Sequence, residues 1–198
     1  MNYANYVHDV LIVSGSEKGR IYFKNILLDS NYTFNIRVLS DSYEARRQLL
    51  NNNFEIIIVN SPLADESGIN FAKQASSSNA IVLYVVKSEA FDDIITKAEE
   101  NNIFVVSKPL NKNLFYQTLN NAIIFLEKKK EYELEIDKLK NKLEEMRLVS
   151  KAKCLLIEHK HISEEDAHKY IEKRAMDTRD KKINIAMDVI KSYSYLTK

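Results

Sequence analysis

Past Pro109 the chain runs through its remaining 89 residues without a glycine or a proline. That stretch lacks the residues that most readily turn or break a chain, so long helices joined by short capped turns are its favoured solution. Within it Ala122, Phe125, Lys129, Tyr132, Ile136, Leu139, Leu143, Met146 and Ser150 alternate by three and four. This is a heptad pattern, strongest from Ile136 to Met146, and it is set among Glu133, Glu135, Asp137, Lys138, Lys140 and Lys142. A helix this polar is marginal alone and gains stability when its apolar stripe is covered. The pattern predicts a parallel coiled coil between two chains over residues 121–147, with Tyr132, Ile136, Leu139, Leu143 and Met146 in the seam. Lys129 weakens the seam at its start. The alternative is a solvated helix that packs on its own chain.

Before Pro109 the periodicity is different. Val10–Val13, Phe54–Val59, Ala80–Val86 and Ile103–Val106 are short apolar runs rich in β-branched residues, as expected of strands buried on both faces of a parallel sheet. Ile36, Val38 and Leu39 form a weaker run, interrupted by Arg37, that suits an edge strand. Helix-period segments lie between them: Ile21, Phe23, Ile26 and Leu27 mark one, and Tyr43, Ala45, Leu49 and Leu50 mark the next, with Asp41 or Ser42 as its N-cap. The expected architecture is a doubly wound α/β domain with a five-stranded parallel sheet over residues 1–120, then the coiled-coil helix, then a small all-α bundle of three helices over 148–198.

Element order, length and the Lys108-Pro109 pair make the first domain resemble the receiver domain of bacterial response regulators. The resemblance implies an acid pair after the first strand that binds Mg²⁺ and an aspartate after the third that accepts phosphate. Here the first position reads Val13-Ser14-Gly15, and counting back eight residues from the turn glycine Gly68 puts Asn60 at the acceptor. An amide is a poor nucleophile and does not hold Mg²⁺ as a carboxylate does. The hydroxyl position after the fourth strand falls on Val86 or Lys87, with Ser88 late, and the aromatic switch position reads Val105. Lys108 alone remains, and it reads more simply as an inherited lysine before a turn proline than as a phosphate ligand. Asp65 and Glu66 read as turn residues rather than displaced metal ligands. The expectation is a pseudo-receiver that serves contact or dimerisation.

Ser163-Glu-Glu-Asp166 resembles a capping box and opens a helix carrying Ala167, Tyr170, Ile171 and Ala175. A further helix carries Ile183, Ala186, Val189 and Ile190, and Leu155, Leu156 and Ile162 complete the apolar set. Charge is unevenly spread: residues 1–110 hold 10 basic and 13 acidic side chains, while Arg147–Lys198 hold 12 basic and 8 acidic. A basic bias permits a polyanion partner without demanding one. Ala152-Lys153 followed by Leu155-Leu156, then Ser163–Ala167, then Arg174-Ala175-Met176, fall in the order and spacing of the ANTAR domain, and roughly residues 147–192 resemble that family. The resemblance implies a three-helix module that binds RNA hairpins with exposed loop bases. Lys151, Lys153, Arg174, Arg179, Lys181 and Lys182 are then the candidate RNA contacts, and Ala152 the small residue that lets splayed bases approach. The simpler account of these lysines is an ordinary solvated surface.

His159, His161 and His168 have no spacing that builds a tetrahedral metal site with Glu164, Glu165 and Asp166. Cys154 has no histidine-base arrangement and reads as a packing residue or as the small-residue position that the ANTAR resemblance implies, rather than as a nucleophile. A single cysteine excludes an internal disulfide framework and fits a reducing cytosol. No signal peptide or spanning apolar run is evident, so a soluble, cytoplasmic protein is expected. We therefore expect a non-enzymatic antitermination regulator of the amidase-operon type, without cofactor or metal. It would act as a homodimer on leader mRNA hairpins, with a regulatory protein or ligand acting on the pseudo-receiver. The alternatives are a phosphorylated response regulator with a displaced acceptor, and a protein-interaction module that binds no RNA.

Overall fold

The structure, a computed structural model, describes residues 6–99, 101 and 103–194. Five strands, β1 (Val7–Ser14), β2 (Thr33–Leu39), β3 (Ile56–Asn60), β4 (Ile81–Lys87) and β5 (Ile103–Lys108), pair in parallel in the order β2-β1-β3-β4-β5. The interrupted run at Ile36–Leu39 is indeed an edge strand, its residues alternating between half-buried and exposed. The three central strands are apolar almost throughout because helices cover both faces. The order reverses between β1 and β3. In open α/β sheets that switch point leaves a crevice outside the carboxyl ends of the strands, where ligands bind.

Helices α1 (Glu17–Leu28), α2 (Ser42–Asn51), α3 (Ile69–Ser76) and α4 (Phe91–Glu99) connect the strands, and α5 (Lys112–Lys160) follows the last. Phe23, Ile26 and Leu27 of α1 join Phe115, Leu119, Ala122, Ile123 and Leu126 of α5 on one face. Ala45, Phe71, Ala72, Ala75 and Ala98 lie on the other. Two helical stripes differ from their sequence assignment. Ile21, Tyr43 and Leu50 are exposed, because the sheet-facing arc of these short helices is narrower than the run of apolar residues. Asp41 is the N-cap of α2 and accepts from the Glu44 amide at 2.9 Å. Gly68 caps α3 at φ 91°, a left-handed conformation that glycine adopts at no steric cost.

The chain divides into two units, residues 1–128 and 129–198. In the second, the end of α5 packs with α6 (Glu164–Thr178) and α7 (Lys182–Ser194) around Ala152, Leu156, Ala167, Ile171, Ala175, Ile185, Ala186 and Val189. Ser163 caps α6 through the Asp166 amide at 3.1 Å, as the capping-box pattern predicts. Ile185 rather than Ile183 supplies the buried isoleucine of α7, because the helix begins only at Lys182 and its core stripe runs through Ile185, Ala186 and Val189. Among the described residues no helix is long and apolar enough to cross a membrane.

Candidate nucleic-acid interface

In the bundle, α6 carries the apolar stripe Ala167, Ile171 and Ala175 inward and sets its charges around it. Ala152 is not at the surface. It is fully buried where α5 meets α6 and α7, so it allows the helices to approach each other rather than a base to approach the protein. Its smallness is a packing requirement, and the assignment of Ala152 as a base contact is corrected. Cys154 is the reverse case: it is exposed, not packed.

The candidate cations do not form a single cluster. Lys153 belongs to α5, and its ammonium reaches the start of α6, where it pairs with the Glu164 carboxylate at 2.7 Å. That hydrogen bond, helped by the lysine's charge, holds the Glu164 carboxyl below the usual carboxylate range. Arg179 and Lys181 follow the far end of a helix of 15 residues, about 22 Å long at 1.5 Å per residue, whereas the Lys182 ammonium reaches back to Glu172 in the middle of that helix. Lys182 is paired with Glu172, and Lys181 and Lys182 line an open cleft with Glu145, Ala175, Met176 and Asp180. Lys151, Arg174, Arg179 and Lys181 are exposed and enter no ion pair among the described residues.

Arg174 belongs to a constellation that spacing alone did not reveal. Its guanidinium donates to the Tyr170 hydroxyl at 3.4 Å, and the Lys160 ammonium sits 4.1 Å from the centre of the Tyr170 ring. Tyr170 is partly buried, which by itself raises its hydroxyl pKa. The Arg174 hydrogen bond and the Lys160 charge outweigh that and lower it. An aromatic ring flanked by two cations presents a stacking surface inside a positive field. Lys160 lies ten positions before Tyr170, and the turn through His161, at φ 54°, brings the two together.

Arg179 ends α6 in a left-handed conformation at φ 54°, ψ 35°. Its amide donates to the Met176 carbonyl at 3.2 Å, and the Asp180 amide donates to that of Ala175 at 3.0 Å. This is the Schellman arrangement, which usually takes glycine at this position. An arginine there accepts a steric cost and projects a cation from the end of the helix.

At the switch point of the sheet, Ser14 and Asn60 are register partners at the carboxyl ends of β1 and β3. The Asn60 side-chain amide donates to the Ser14 hydroxyl at 2.8 Å, and that hydroxyl donates to the Ser16 carbonyl at 3.2 Å. Asn60 Oδ1 is buried without a partner. Gly19 lies directly against this pair: a Cβ there would stand 2.5 Å from Asn60 Nδ2 and 2.6 Å from Ser14 Oγ. Lys108 donates to the Ser61 carbonyl, and burial, then the charge of Lys87, lowers its pKa. The Ser88 hydroxyl is spent on the Lys108 carbonyl. Asp65 accepts from the Ser42 amide at 2.9 Å, the Ser42 hydroxyl at 2.7 Å and the Tyr43 amide at 3.1 Å, so it caps α2. Burial raises its carboxyl, but the bonds from Ser42 and Tyr43 outweigh that and hold it low. Among the described residues no group of three metal-ligating side chains comes together.

The α5 residues assigned to the seam are all uncovered: Tyr132, Ile136, Leu139, Leu143 and Met146 are between 48% and 67% exposed.

An α/β domain of the receiver type followed by a helical bundle is the class this architecture defines, and comparison with known proteins agrees. Residues 137–190 match the family model of the ANTAR domain. The CheY-like receiver domain protein of Methanospirillum hungatei JF-1 superposes with a TM-score of 0.55 at 16% identity, covering 63% of this chain and 99% of that one. The signal receiver domain of an HD domain-containing protein from Pseudomonas fluorescens Pf-5 gives 0.56 at 17%, covering 66% and 98%. A two-component response regulator from Clostridium difficile gives 0.52 at 19%, covering 59% and 95%. At these identities the likeness is one of fold. No curated protein matches the chain significantly.

Proposed function

We propose that this protein is a non-enzymatic RNA-binding antiterminator, similar in plan to the amidase-operon type of regulator. Two chains join through α5, the bundle binds hairpins in nascent leader mRNA, and binding prevents a competing terminator hairpin from forming. The observation that carries this reading is the coincidence of the ANTAR match with a folded bundle that exposes Lys151, Arg174, Arg179 and Lys181. The α/β half is the input module, a pseudo-receiver in which Ser14 and Asn60 stand at the positions where phosphotransfer chemistry requires carboxylates. The protein is cytoplasmic in this reading, because nascent mRNA is.

A salt titration against short hairpins with varied loop bases tests the proposal. Replacing a phosphate-contacting cation should flatten the slope of log affinity against log salt by about 0.7–0.9. Arg174→Ala should do this or, if Arg174 reads a base, relax loop discrimination by roughly 1–3 kcal/mol. Arg179→Gly is the sharper variant: it relieves the left-handed strain, so the bundle should gain about 1 kcal/mol of stability while RNA binding weakens. A parent protein with no preference for hairpins over unstructured RNA at moderate salt would sink the reading and leave a protein-interaction module.

A further inference from the structure

Side chains four residues apart share one face of a helix, and α6 carries three such rows. Ala167, Ile171 and Ala175 form the buried row. It separates Glu164, His168 and Glu172 on one side from Tyr170 and Arg174 on the other. The first row is electrically closed. Glu164 holds Lys153 at 2.7 Å, and Glu172 holds both Lys182 and, at 3.2 Å, His168. Two carboxylates offset the two lysines that reach this row, so a polyanion laid along it meets no net attraction.

The Tyr170 and Arg174 row is open. Lys160 and Arg174 are exposed and enter no ion pair with a carboxylate among the described residues. Asp166, one turn before Tyr170, is taken up by the Ser163 hydroxyl at 2.7 Å. Asp177, one turn beyond Arg174, makes no ion pair with it among the described residues. The Lys160 ammonium lies 4.1 Å from the centre of the Tyr170 ring, and the Arg174 guanidinium donates to the Tyr170 hydroxyl at 3.4 Å. Burial raises the pKa of that hydroxyl, yet the Arg174 hydrogen bond and the Lys160 charge bring it below its ordinary value. A more acidic O–H is a stronger donor to an anion. Arg174 spends one N–H on the hydroxyl and keeps the rest of its fork.

We propose that one phosphate of the RNA backbone binds at Lys160, Tyr170 and Arg174, where an ammonium, a hydroxyl and a guanidinium fork converge, and that the row of Glu164 and Glu172 stays outside the contact. The phosphate oxygens accept from all three groups. The Tyr170 hydroxyl goes on accepting from Arg174 and turns its own hydrogen to the phosphate. The contact is non-covalent. It rests on the RNA-binding reading and deepens it, replacing a diffuse basic bias with one site. Lys160 and Tyr170 enter the interface, and Lys153 and Lys182, held by their glutamates, leave it.

The test is a fluorescence-anisotropy titration of the full-length protein against a short RNA hairpin at a series of salt concentrations. Lys160→Met and Arg174→Ala should each flatten the slope of log affinity against log salt by about 0.7–0.9, the loss of one phosphate contact. Tyr170→Phe keeps the ring and removes the hydroxyl. It should weaken binding by about tenfold and leave the slope unchanged, since no charge is lost. Lys153→Met and Lys182→Met should bind as the parent does. The site is rejected if the parent binds hairpins but Lys160→Met and Arg174→Ala keep its slope. It is rejected equally if Tyr170→Phe binds as the parent does, or if Lys153→Met and Lys182→Met are the variants that lose slope. A parent with no preference for hairpins removes the RNA-binding reading itself, and the site with it. If circular dichroism shows that Arg174→Ala is unfolded, Lys160→Met and Tyr170→Phe decide by the same criteria.

Discussion

The two ends of the apolar stripe on α5 are built from the same kinds of residue and meet opposite fates. Phe115, Leu119, Ala122, Ile123 and Leu126 are buried against the sheet and α1. Tyr132, Ile136, Leu139, Leu143 and Met146 recur at the same three-and-four spacing and stand exposed. Periodicity states that a face is to be covered; it does not state by what. The first stretch finds its cover within the chain, because Pro109 delivers it onto the face of the sheet that α1 already lines. The second has none among the described residues of its own chain. An exposed heptad seam of this length fits a second copy better than solvent.

The comparison predicts different failures for the two stretches. Phe115 is fully buried, and its ring lies 5.2 Å from that of Phe23. Phe115→Ala should lower the stability of the α/β unit by about 3–5 kcal/mol in denaturant unfolding, with no direct effect on association. If the loss is under about 1 kcal/mol, the first stretch is not the packed element that its burial indicates. Leu139→Glu should do the converse. In the proposed dimer it puts a charge where a partner's apolar side chain would pack, at a cost of roughly 2–4 kcal/mol to association, while each unit stays folded. Sedimentation at micromolar concentration should show a monomer. A variant as dimeric as the parent would move the contact away from α5.

The elements of the sheet were legible because each central strand is a continuous β-branched run with no competing helical period. The interrupted edge strand was legible for the same reason in weaker form. Ser14 and Asn60 were legible because position after a strand fixes where a side chain arrives in this fold. The RNA-binding candidates were less so. Ala152 was assigned to the surface, yet helix geometry places it one turn before Leu156 on the buried stripe, and a small residue serves a helix crossing as well as it serves a ligand. The pairing of Lys160 with Tyr170 depends on the conformation of the turn at His161, which no periodicity encodes. Nor could spacing show that Lys153 and Lys182 are held by Glu164 and Glu172. Cations far apart in sequence share a face only if the packing of three helices puts them there, and that packing is set by the apolar stripe rather than by the charges.

The smallest predicted effect separates a seam from a merely apolar helix. Leu134 is 64% exposed, much like Leu139, yet it falls between Tyr132 and Ile136 at the heptad position farthest from the seam. If association is driven by apolar exposure in general, removing either leucine should weaken it alike. If it is driven by a coiled coil, only phase matters. Leu134→Lys should then leave the sedimentation profile unchanged and alter stability by less than about 0.5 kcal/mol, the usual range for a surface substitution on a helix. A monomer from Leu134→Lys would show that the contact runs along a different face of α5, and the seam from Tyr132 to Met146 would have to be redrawn around Leu134.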